Sequence, residues 1–136
     1  MTQHIVIIGS GFAGMYSALA AARLRDLQGV GREALEITVV APDPALTVRP
    51  RLYEAHPIEM SAPLEALFHS TEVRYIQGKA ETIDAASDRI VVLAPDGTRS
   101  ALPYDRLILA AGSLQGFLSS AGTRSGGDAR LAILLW

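Results

Sequence analysis

Gly9, Gly11 and Gly14 follow the short apolar run HIVII at the spacing G-x-G-x-x-G, an arrangement that binds a pyrophosphate through backbone alone. Gly9 permits a tight turn, Gly11 leaves a phosphate room to approach the main chain, and Gly14 lets the following helix pack close to the strand. A helix over residues 12–27 then aims its free N–H groups and about half a positive charge at the phosphates. No basic side chain is needed. Met15, Ala18, Leu19 and Ala22 recur at i, i+3, i+4 and i+7, so the glycines open an amphipathic helix.

The other residue types with chemical potential point in fewer directions. There are no cysteines, which excludes disulfides, thiolate metal sites and dithiol redox chemistry. His4, His56 and His69 have no carboxylate or second histidine at ligand spacing, so each reads as structural and no metal is expected. The segment over residues 42–57 holds Arg49, Arg51, Tyr53 and His56 between prolines and reads as an ordered loop crossing the ligand's path. Arginine suits phosphate or carbonyl contacts through its planar fork of donors. In nucleotide-binding βαβ units an acidic residue ending the second strand holds the ribose hydroxyls. Here Ala41 stands at that position and the nearest acid is Asp43. Either Asp43 reaches the ribose through a shifted loop, or backbone groups hold it.

The elements that must position these groups follow from apolar runs and turn signals. Residues 4–8, 36–41, 72–77 and 106–110 read as buried parallel strands. Residues 80–85, 89–94 and 98–102 read as a three-stranded antiparallel meander whose second turn is Pro95-Asp96-Gly97. Ser61 is the expected N-cap of a short helix ending near His69, with Pro63 in its first turn. Tyr104 and Asp105 read as a strand-entry and packing element. The fold class is therefore three-layer α/β, a Rossmann-type parallel sheet with an antiparallel meander.

The 136-residue length suits one domain, and 49% hydrophobic against 19% charged residues argues for a folded core. A net charge of −2 gives no electrostatic case for nucleic acid. No apolar stretch approaches the roughly eighteen residues of a membrane span, and no signal segment opens the chain. A cytoplasmic location is the expectation, with membrane association at most peripheral.

Taken together, IVIIGSGFAGMYSALAAA, LTVRPRLYEA, the meander and LPYDRLILAAGS resemble the FAD-binding domain of the pyridine nucleotide-disulfide oxidoreductase superfamily, with its glutathione-reductase type of fold. GFAG and YDRLILAAGS are most similar to type II NADH dehydrogenases, the NADH:quinone oxidoreductases. The resemblance covers residues 1–113. It implies FAD as cofactor, NAD(P)H as substrate and a quinone-like acceptor. It also implies that Gly9, Ser10, Gly11, Phe12, Ala13 and Gly14 face the FAD pyrophosphate and that Ala41 stands where the ribose-binding acid sits. Arg49 matches an arginine near the flavin, Ala80 a position whose backbone contacts the adenine, and Ala111 and Gly112 the end of the A-T-G motif that closes over the cofactor. The flavin itself carries the hydride, so no residue is assigned as catalytic.

Members of that superfamily continue with a second G-x-G-x-x-G domain and a returning strand that ends in Gly-Asp. Gly127-Asp128 is preceded by TRSG, which is not a buried strand, and the dipeptide reads as chance. The chain is therefore expected to be a truncated or frame-shifted piece of a larger flavoprotein: an FAD-binding domain over residues 1–113, and an atypical tail over 114–136 that packs irregularly and adds no strand. The alternatives are a catalytically inactive fragment, or an NAD(P)-binding Rossmann dehydrogenase whose single unit holds the nicotinamide cofactor. The meander argues against the latter, because a plain Rossmann half continues with alternating helices and strands.

Overall fold

The computed structural model describes residues 2–9, 11–42, 45–47, 61–110 and 131–133. A five-stranded parallel sheet forms its middle layer, with β1 (Gln3–Ile8) flanked by β2 (Leu35–Ala41) and β9 (Arg106–Leu109). β5 (Arg74–Gln77) lies outside β2, and β10 (Leu131–Ile133) outside β9. Helices α1 (Phe12–Leu27) and α2 (Glu65–Ser70) pack on one face. The antiparallel sheet of β6 (Lys79–Asp84), β7 (Arg89–Leu93) and β8 (Arg99–Pro103) packs on the other.

Residues on a strand point alternately to opposite faces, and both faces of β1 are covered. Val6 and Ile8 join Val40, Leu107 and Leu109 against Ile83, Ile90 and Val92 of the meander. Ile7 joins Ile37 and Val39 against Met15, Ala18 and Ala22 of α1 and Phe68 of α2. The unbroken apolar run of β1 thus serves two cores at once, as a central parallel strand must.

The predicted parallel strands, the meander and α1 all form. Three details differ. Ser61 does not cap a helix: Ser61–Pro63 is strand β4, paired antiparallel with β3 (Ala45–Thr47), and α2 begins only after Leu64. Pro63 disfavours helical backbone at the residue before it, so a helix cannot run through Ala62. The third parallel strand is shorter than predicted because Glu72 has φ 55°, a left-handed turn that no strand accommodates. The third difference concerns the tail. Leu131–Ile133 adds a parallel strand to β9, with Leu131 opposite Leu107, so the expectation that residues 114–136 add no strand fails there. A three-residue apolar strand is too short for its periodicity to be read.

Tyr104 is buried in the core beneath the meander, and its N–H donates to the Asp88 carbonyl at 3.0 Å. Asp105 accepts the His4 N–H on its carboxylate at 2.7 Å and donates its own N–H to the His4 carbonyl at 2.8 Å. The pair therefore locks the entry of β9 to that of β1.

Arg25, near the end of α1, is only 2% exposed. Its guanidinium donates to the Thr71 carbonyl at 2.9 Å and makes longer contacts with the carbonyls of Leu35 and Glu72 at 3.4 and 3.5 Å. One side chain so ties α1, the start of β2 and the α2–β5 turn together, and its charge is favoured by the helix C-terminus. Arg25→Ala should cost about 1–3 kcal/mol in urea denaturation, because the stranded carbonyls lose their donor. Leu27→Gln, at a side chain 74% exposed, should change stability by less than about 0.5 kcal/mol.

Three carboxylates on the meander are held below their ordinary range. Arg99 hydrogen-bonds Glu81 at 2.7 Å, the Ser87 hydroxyl holds Asp84, and the Thr98 N–H donates to Asp96 at 2.9 Å. Groups with depressed folded-state pKa stabilise above the unfolded value of about 4 and lose that contribution as pH falls through the folded value. Thermal melts followed by circular dichroism should therefore show a lower midpoint near pH 3 than near pH 6. Asp84→Asn should flatten part of that acid slope.

Candidate functional site

The chain begins in the middle of the sheet, steps outward through β2 and β5, then returns to the opposite side of β1 as β9. The order reverses between β1 and β9, and in open α/β sheets ligands bind beyond the carboxyl ends of the strands at such a switch point. The glycine turn lies at that end. Gly9 donates to the Val40 carbonyl at 2.9 Å and has φ 112°, a conformation that side chains rarely adopt.

Gly11 and Gly14 have opposite surroundings. A Cβ on Gly14 would lie 2.8 Å from the Gly9 carbonyl carbon and closer still to its oxygen, so this glycine is where α1 rests on the end of β1. A Cβ on Gly11 would meet nothing within 4 Å among the described residues. Gly11 is exposed, with φ −70° and ψ −172°, and is the N-cap of α1. The first helical bond runs from the Met15 N–H to the Gly11 carbonyl at 2.9 Å, so the N–H groups of the first turn have no partner within the helix. No side chain among the described residues caps that end, and no acidic residue stands in its first turn. Among the described residues no carboxylate is hydrogen-bonded to that positive end.

The other predicted site residues fall as follows. Ala13 is buried, so its methyl is not open to a ligand. Ala41 is 2% exposed, and its carbonyl already accepts the Tyr75 hydroxyl at 2.6 Å and the Gly78 N–H at 3.0 Å. Neither its methyl nor that carbonyl is left for a ligand. Ala80 is a buried residue of β6 opposite Val92, followed by a bulge at Glu81. Gly78, which precedes it, packs so closely that a Cβ would sit 2.7 Å from Val92 Cγ1. That approach carries the chain from the end of β5 directly into the second sheet. Ala110 donates to the Ile8 carbonyl at 2.8 Å, which brings the chain to the switch point immediately before Ala111 and Gly112.

Gly9, Gly11, Gly14, Ala41 and Ala80 therefore gather at the carboxyl ends of β1, β2 and β5. Ser10, Asp43, Arg49, Arg51, His56, Ala111, Gly112 and Gly127-Asp128 lie outside the described residues. His4 lies at the start of β1, after Gln3, and His69 is exposed near the end of α2, away from this cluster. Sequence reasoning passed over Tyr75 and Gly78. Gly78 carried a signal, a glycine ending a strand, whereas the Tyr75 contact depends on the pairing of β2 with β5 and had none.

A glycine turn between strand and helix, set at the switch point of a parallel sheet, defines an α/β domain of the dinucleotide-binding type. The pyridine nucleotide-disulphide oxidoreductase family matches residues 3–131, and the chain belongs to that family of oxidoreductases. An NADH dehydrogenase-like protein of Mycobacterium tuberculosis is 36% identical over 110 residues, 81% of this chain and 26% of that protein. The type II NADH:quinone oxidoreductase NdhA of the same species is 30% identical over 124 residues, 87% of this chain and 24% of that one. Among solved structures, the sulfide:quinone oxidoreductase of Aquifex aeolicus superposes with a TM-score of 0.61 at 26% identity, over 82% of this chain and 24% of that one. The chain spans about a quarter of the length of the curated relatives it matches.

The two glycines should separate folding from binding. Gly14→Ala forces a methyl into the Gly9 carbonyl and should destabilise by about 1–3 kcal/mol, the usual cost of overpacking. Gly11→Ala meets open space in an allowed conformation and should stay within about 1 kcal/mol of the parent. Urea denaturation of the two variants side by side checks the contrast.

Proposed function

We propose that this chain is the FAD-binding portion of an NAD(P)H oxidoreductase of the NADH dehydrogenase type. The observation that carries the reading is the open backbone at Gly11, set at the uncapped N-terminus of α1 and at the switch point of the sheet. The site fits a pyrophosphate: it offers backbone donors, a helix N-terminus uncapped by any described side chain and no carboxylate in the first turn. The meander packed on β1, β2 and β9 in place of a helical layer favours the flavin reading over an NAD(P)-binding Rossmann dehydrogenase.

In this reading the residues of the turn from Gly9 to Gly14 hold the pyrophosphate by backbone N–H groups. The backbone at Ala80 faces the adenine, Arg49 approaches the flavin, and Ala111 and Gly112 close over the cofactor. When bound, FAD supplies a ring that accepts a hydride from NAD(P)H and passes electrons to an acceptor. The names of the relatives that act on quinones support a quinone-like acceptor. A quinone dissolved in lipid would be met at a membrane surface. No helix among the described residues is long and apolar enough to cross a membrane, and in this reading the attachment is peripheral, as the resemblance to type II NADH dehydrogenases implies.

The test is FAD titration of the purified chain, followed by flavin fluorescence and by the visible absorbance of bound flavin. Gly11→Val should keep the parent's circular dichroism spectrum and weaken FAD binding by about tenfold or more, equivalent to roughly 1.4 kcal/mol or more. Equal uptake of FAD by parent and variant would overturn the reading.

A further inference from the structure

The carboxyl end of β2 lacks the acid that ordinarily grips the adenosine ribose, and the structure shows what stands beside the gap. Ala41 and Gln77 are register partners on adjacent parallel strands. Partners in register project to the same face, and neighbouring strands lie about 4.8 Å apart. A glutamine side chain spans that distance. Gln77 is exposed, and its Nε2 donates to the Pro42 carbonyl at 3.2 Å. A carbonyl accepts only from the amide NH2, so this contact fixes which end of the amide faces Pro42 and leaves Oε1, with its two lone pairs, toward the other side. Among the last residues of β1, β2 and β5, Ile8, Ala41 and Gln77, only Gln77 is polar, and the Tyr75 hydroxyl beside it is turned to the Ala41 carbonyl. The Ala41 carbonyl, the nearest backbone acceptor, is already taken by Tyr75 and Gly78.

We infer that Gln77 serves as the ribose-positioning residue, its Oε1 accepting a hydrogen bond from an adenosine ribose hydroxyl in place of the missing carboxylate. The inference rests on the FAD reading above. Ribose hydroxyls are donors as well as acceptors, so a neutral amide oxygen serves them as a carboxylate does, through a weaker bond between uncharged partners. Anchoring by Pro42 orders the amide before the nucleotide arrives, which lowers the entropy lost on binding.

The experiment measures binding, independently of turnover. FAD and its dideoxyadenosine analogue, which lacks the ribose hydroxyls, are titrated against the parent chain, Gln77→Ala, Gln77→Glu and Asp43→Asn. Gln77→Ala should weaken FAD about three- to tenfold, the loss of one neutral hydrogen bond, and leave the affinity for the analogue unchanged. Gln77→Glu keeps an acceptor but loses the donor to Pro42, and it should bind FAD at least as tightly as the parent. Equal weakening of FAD and analogue by Gln77→Ala would mean that the side chain only supports the Pro42 turn, and would overturn the inference. Loss of the hydroxyl-dependent affinity in Asp43→Asn, with Gln77→Ala unaffected, would assign the ribose to Asp43 and overturn it too. If the parent bound no FAD, the flavin reading itself would fall; normal FAD binding with an unaffected Gln77→Ala would defeat this inference alone.

Discussion

The backbone of Gly14 rests on the carbonyl of Gly9 with no room for a methyl group between them, and the geometry of the site depends on that contact. It fixes the first turn of α1 against the end of β1, so the helix N-terminus and the strand's carboxyl end open on one point. Interiors are packed closely enough that such a contact cannot be relaxed locally. Below it, Ala18 and Ala22 continue the close approach of helix to sheet, and at the far end Arg25 ties the helix to β2 and the α2–β5 turn. The helix is therefore held at both ends, by a missing side chain at one and a long buried one at the other.

The opposite face of the sheet is secured by different means. Ile83, Ile90 and Val92 fill the space above Val6, Ile8 and Leu107, while the polar groups of the meander stay outside. Glu81 occupies the bulge in β6 and accepts from Arg99 on β8, across β7. Exposed ion pairs of this sort contribute little to stability, so their part is to hold the outer surface in register while burial supplies the free energy.

Much of this was legible in the chain because local and tertiary requirements agree there. A strand covered on both faces must be largely apolar, and residues 5–8 and 37–41 are, Thr38 excepted; the short strands of the meander are marked off by the turns at residues 85–88 and 95–97. The glycine spacing was readable at two of its three positions, since Gly9 has φ 112° and Gly14 packs on the Gly9 carbonyl, while the demand at Gly11 belongs to the proposed phosphate. What was not legible depends on register. Nothing adjacent in sequence says that the Tyr75 hydroxyl will meet the Ala41 carbonyl, or that Arg25 will reach Thr71. The segment Ser61–Pro63 has the composition of a helix start, yet it pairs with Ala45–Thr47, a competition between capping and pairing that local sequence does not decide. Leu131–Ile133 is a strand only because β9 offers it an open edge.

A site assembled from main-chain donors has a consequence for how specificity is divided. Backbone N–H groups at the turn recognise a phosphate whatever nucleoside carries it, and no substitution of a surface side chain can retune them. Discrimination between ligands that share a pyrophosphate must then come from the ends of the neighbouring strands, where side chains face the sugar and the base. In this chain that position on β2 is a buried methyl with its carbonyl already occupied. In the proposed reading the selective contact is displaced one strand outward, to the end of β5, while the phosphate contacts keep their place on β1 and α1. The two tasks are separable because they lie on different strands of one rigid sheet.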